Sequence, residues 1–107
     1  MSPRPVVPRA RAARDIEQAI ALYLQQGAQS AALKFIDAVE VAFHRLAHHP
    51  AAGSPRLGQE LDLPGLRLLQ VRKFPYGIFY VELPDRVDVW RVLHGRRDIP
   101  AGLQGLV

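Results

Sequence analysis

The chain has 107 residues, a formal net charge of +4 and no cysteine, which fits one domain (1–107) and excludes disulfide scaffolds, thiolate catalysis and cysteine-ligated zinc. Its positive charge comes from twelve arginines against two lysines, Lys34 and Lys73; guanidinium forks match carboxylate and phosphate, so an acidic partner is expected. No apolar run approaches the roughly 20 residues that span a bilayer and no signal-peptide pattern opens the chain, so a cytoplasmic location without membrane contact is expected.

Ser2–Pro8 carries three prolines around Val6 and Val7, so any strand there is short and lies at a sheet edge. Arg9–Gln26 reads as a helix with Ala12, Ile16, Ala19, Ile20 and Tyr23 on one face. Arg11 and Asp15, and Arg14 and Gln18, stand at i,i+4 on the opposite side. Gly27 is a natural left-handed terminator. A second helix, Gln29–His48, has the strongest period in the chain, through Ala32, Phe35, Val39, Ala42, Phe43 and Leu46. The short break between the helices predicts an antiparallel hairpin.

His44 and His48 are four apart in that second helix. Zinc proteases use this spacing with a glutamate after the first histidine, a place held here by Arg45. No third ligand is evident, so no metal or other cofactor is expected. The histidines suit the negative end of the helix dipole instead. Pro50 and Gly53 end the helix, and Ala51–Leu63 reads as a connection without period.

Strand patterns follow at Leu66–Phe74, Tyr76–Leu83 and Val87–His94, joined by turns at Pro75 and Pro84-Asp85-Arg86. In the last, Val87, Val89, Arg91 and Leu93 would share one face and Asp88, Trp90, Val92 and His94 the other. Both faces are largely apolar, as in a central strand. Gly95, Arg96 and Arg97 then bring two permanent charges to the sheet rim, either as a working surface or, with Asp98, as a solvated pair. The tail Pro100–Val107 has little to fix it. The expected fold is α+β: an N-terminal edge strand, then a helical hairpin packed on an antiparallel three-stranded meander, in the order β-α-α-β-β-β. The sheet face turned away from the hairpin is where an arginine-lined concave surface is expected.

Four passages together resemble the RelE/ParE toxin superfamily of type II toxin–antitoxin modules, and its ParE-like branch most closely. They are ARAARDIEQAIALYL, AALKFIDAVEVAFHRLAHHPAAG, LPGLRLLQV and VWRVLHGRRDI, spanning roughly residues 8 to 100. RelE-like members resemble ribosome-dependent mRNA endoribonucleases, whose sheet carries basic residues and whose C-terminus carries a tyrosine. Here Leu68 and Gln70 align with two of those lysines and Gly77 with an arginine. Arg97 keeps one basic position, His94 is a candidate acid or base, and no tyrosine follows Tyr80. Metal-free phosphodiester cleavage needs a base, an acid and a cation around one phosphate, and this set is depleted.

ParE-like members resemble poisons of DNA gyrase that act by binding. The resemblance therefore implies a gyrase inhibitor rather than an enzyme, with a ribosome-dependent nuclease using His94 and Arg97 as the alternative. Target contacts are expected from Arg67, Arg72, Lys73, Arg91, Arg96 and Arg97. It also implies a cognate acidic, ParD-like antitoxin whose C-terminal segment folds onto apolar surface of this chain. Operator DNA would then be reached only indirectly, through that antitoxin.

Overall fold

The structure is a computed structural model and describes residues 2–95. Its elements are β1 (Val6–Pro8), α1 (Ala10–Gln25), α2 (Gln29–His48), a 3-10 turn at Pro50–Ala52, α3 (Arg56–Glu60), β2 (Leu66–Gln70), β3 (Tyr76–Glu82) and β4 (Val87–His94). The expected α+β order stands. The sheet runs β1-β4-β3-β2, with β4 central as its two apolar faces require. β2, β3 and β4 form the antiparallel meander, and β1 adds parallel to β4 through Val6↔Val87 and Pro8↔Val89, which makes the sheet mixed. Among the described residues no helix is long and apolar enough to cross a membrane.

The hairpin covers one sheet face. Ala12 and Ala19 of α1, with Phe35, Val39, Ala42 and Leu46 of α2, pack on Leu69, Val71, Tyr76, Ile78, Tyr80, Val87, Val89 and Val92. Each large side chain buried this way contributes roughly 1.5–3 kcal/mol of transfer free energy, so this layer dominates folding. Gly27, at φ 73°, lets the chain reverse between the helices: its N–H reaches the Leu24 carbonyl, and the Ala28 N–H reaches that of Tyr23.

Four expectations change here. The 51–63 connection holds a 3-10 turn and the five-residue helix α3, which is too short to show a period. Its Leu57, with Leu63 just beyond it, packs on Leu66, Phe79 and Leu93 and so fills the second sheet face; among the described residues no arginine-lined concave surface forms there. The first meander strand stops at Gln70 rather than Phe74, because Val71 and Phe74 close the turn to β3. In β4, Phe79 pairs with Arg91 and Tyr80 with Val89, leaving Trp90 as a bulge residue. One extra residue reverses the alternation: Val92 joins Val87 and Val89 under the helices, while Leu93 turns to the α3 side.

Tyr80 fixes the α2–β2 connection. Its buried hydroxyl donates to the Pro50 carbonyl and accepts the Gly53 N–H, both at 2.7 Å. Burial pushes the phenol pKa up, and the Gly53 hydrogen bond opposes that rise. Gly53 is obligatory because a Cβ there would stand 2.6 Å from the Tyr80 hydroxyl oxygen.

Candidate functional site

Three of the positions aligned with nuclease cations, Leu68, Gln70 and Gly77, lie on the sheet face under α3. Leu68 joins the apolar cluster of Phe79 and Leu93, and its Cδ1 occupies the space a Cβ on Gly77 would need, at 2.5 Å. The Gln70 amide donates to the Phe74 and Tyr76 carbonyls at 2.7 and 2.9 Å, bracing the β2–β3 hairpin. Leucine and glycine offer no charge to a developing phosphorane, and Gln70 is engaged in holding backbone.

Among the described residues, the basic side chains singled out from the sequence, Arg67, Arg72, Lys73 and Arg91, do not converge on one surface. Arg67 donates to the Gly53 carbonyl at 2.8 Å and holds the same connection as Tyr80. Arg91 grips Asp15 of α1 through Nε and Nη2 at 2.8 and 3.0 Å. This overturns the i,i+4 pairing of Asp15 with Arg11. The strand edge is the stronger partner because Asp15 also accepts the Val92 N–H at 3.0 Å, beyond the end of β1. His94 stands edge-on to Tyr76, with centroids 5.4 Å apart. Arg96 and Arg97 lie outside the described residues. His48 Nδ1 lies 3.0 Å from the His44 carbonyl in the last turn of α2, in keeping with a dipole-complementing role.

Arg72 and Lys73 do come together, on the exposed turn between β2 and β3. Lys73 takes a left-handed φ of 70°, a conformation that costs a non-glycine residue roughly 1–2 kcal/mol. They line a groove of about 630 Å³ with Phe74 and with Lys34, Ala38 and Val41 of α2. Val41 is 67% exposed and Leu33, two helical turns earlier, 59%, so the outer face of α2 offers apolar surface rimmed by three cations. Sequence reading missed Lys34. The signal was there: Leu33 and Val41 are apolar yet off the Phe35/Val39/Leu46 face.

At the other end of the sheet, Asp88 is 7% exposed. It accepts from Arg9 Nε and Nη2 at 3.2 and 2.8 Å and from Trp90 Nε1 at 3.0 Å, and the Arg9 guanidinium stacks 4.7 Å from the Trp90 ring centroid. Burial alone would raise this carboxyl's pKa; the Arg9 and Trp90 hydrogen bonds outweigh it and hold the value below the ordinary carboxylate range. A lowered folded-state pKa gives stability that is complete above the unfolded value and lost as pH falls through the folded one. Asp88→Asn is therefore expected to be less stable than wild type at neutral pH, with the gap closing below about pH 4. Melting curves from pH 7 to pH 2 check this; a constant gap would contradict it.

The sequence matches the family described as "ParE toxin of type II toxin-antitoxin system, parDE" over residues 6–99. Among solved structures it resembles a chain described as "Chromosomal ParDE TA system from P. aeruginosa". The TM-score is 0.70 at 18% identity, covering 85% of this chain and 95% of that one, a likeness of fold. No curated protein sequence matches it. With β1, the hairpin, α3 and the meander all inside the matched region, the chain belongs to the ParE toxin family of type II toxin–antitoxin systems.

Proposed function

We propose that this chain is the toxin of a ParDE-type module, acts in the cytoplasm by binding DNA gyrase, and is neutralised by an acidic ParD-like antitoxin. The observation that carries binding over cleavage is the filled sheet face. Where nuclease relatives carry cations, Leu68 and Gly77 pack together and Gln70 braces a hairpin. Losing one preorganised electrostatic contact costs on the order of a hundredfold in rate, and here three positions lack it.

The groove between α2 and the β2–β3 hairpin supports the antitoxin reading. Lys34, Arg72 and Lys73 surround Ala38, Val41 and Phe74, a pattern that suits an amphipathic helix with an apolar stripe and acidic flanks. Operator DNA is then contacted through the antitoxin. Arg96 and Arg97 remain the proposed gyrase contacts; Arg67 and Arg91 are better read as supports of the fold, given their buried or backbone partners. Arg72→Ala with Lys73→Ala should weaken the complex with the cognate antitoxin roughly tenfold, with a smaller loss at high salt. Induced expression should raise a DNA-damage response before translation falls. An unchanged antitoxin affinity would contradict the groove assignment, and an early fall in translation would contradict gyrase as target.

A further inference from the structure

A second cationic feature lies along the first turns of α1. α1 starts with Arg9 at its N-cap, has no acidic residue in its first turn, and carries Arg11 and Arg14 within its first five residues. Cations there oppose the helix dipole, and a helix selected for stability alone would place Asp or Glu at these positions. Asp15, four residues after Arg11, is committed to Arg91 and to the Val92 N–H by three hydrogen bonds. Among the described residues neither Arg11 nor Arg14 is in an ion pair, whereas Arg4, Arg9, Arg56, Arg86 and Arg91 all are.

Arg11, Arg14, Asp15, Gln18 and Arg91 together line a notch of about 210 Å³. Three guanidinium groups face one carboxylate there, so the notch keeps an excess of positive charge. Its walls supply donors rather than acceptors: Arg11 and Arg14 at i,i+3 on one helix face, and the Gln18 amide one turn further on. The Asp15–Arg91 pair, with side chains 10% and 12% exposed, forms a rigid floor that fixes the face of α1 against the sheet.

We propose that this notch binds one phosphate group, gripped by Arg11 and Arg14 with Gln18 as a third donor. Planar guanidinium forks bind phosphate oxygens in pairs, and paired forks with an amide favour a multi-oxygen anion over a single carboxylate. The phosphate could come from a free nucleotide-like ligand or from a nucleic-acid backbone; both present the same chemistry. This assignment is independent of the toxin reading, because its ligands are not those of the groove or of the C-terminal arginines.

The test is calorimetric titration of the full-length chain with pyrophosphate at low salt, alongside anisotropy with a labelled short DNA duplex. Pyrophosphate should bind saturably at one site, more tightly than acetate at matched ionic strength. Arg11→Ala with Arg14→Ala should weaken it at least about tenfold without lowering the melting temperature, and Arg56→Ala should change nothing. Duplex binding that pyrophosphate displaces and the double variant loses identifies a nucleic-acid backbone as the source. Pyrophosphate binding without duplex binding identifies a free ligand. Wild-type affinity in the double variant, absence of saturable pyrophosphate binding, or equal competition by acetate would overturn the proposal.

Discussion

Asp15→Ala is expected to cost about 3–5 kcal/mol, the range for breaking a largely buried ion pair from one side. The loss would come from three sources. The Arg91 guanidinium would lose both bonds that hold it, in a setting where its side chain is 12% exposed. The Val92 N–H would lose its acceptor at the place where β1 no longer covers β4. The polar link between α1 and the central strand would then be left to Arg9 at the helix N-cap, through its N–H to the Val89 carbonyl and its side chain to Asp88. For a domain of this size, one kilocalorie per mole shifts the melting temperature by roughly 4–8 °C, so a fall of more than about 10 °C should be seen. Asp15→Ala with Arg91→Met should recover a substantial part of that loss, because an apolar pair leaves no charge stranded. A single variant melting within about 2 °C of wild type would show that the pair contributes little.

Phe35→Ala should be comparably damaging, at about 3–5 kcal/mol. Phe35 is fully buried and sits at the hub of an aromatic cluster, with ring centroids 5.1 Å from Tyr76, 5.3 Å from Phe74 and 5.8 Å from Tyr23. Its neighbours come from α1, the β2–β3 turn and β3, and such rings cannot collapse into the void without moving backbone. Phe43, read from the sequence as a core residue of the same face, is only half-buried and packs at the margin of the cluster. Phe43→Ala should therefore cost no more than about 2 kcal/mol. Urea unfolding of both variants measures the contrast, and equal losses would contradict the packing order.

The two long helices, the central place of β4 and the edge strand were legible because each has a strong local signature. α2 shows its period over 20 residues, and prolines confine β1 to an edge. What was not legible depends on contacts between distant residues. Asp15 looked like a partner for Arg11, four residues away, and instead reaches Arg91, 76 residues on, because a strand edge offers both a guanidinium and an N–H. The Trp90 bulge leaves no local mark: a valine–polar alternation reads the same with or without it. α3 has five residues, too few for any period, yet it decides that the second sheet face is filled. The candidate site shared this fate. Arg72 and Lys73 were singled out, but Lys34, which completes their groove, arrives from another element.

We propose action by binding at gyrase rather than by cutting RNA. Purified chain, titrated into a DNA gyrase supercoiling reaction, should block supercoiling; Arg96→Ala with Arg97→Ala should weaken the block. The same preparation added to translating ribosomes should leave mRNA intact. Cleavage of mRNA in the ribosomal A site with supercoiling unaffected would contradict the account and make His94 and Arg97 the first residues to replace.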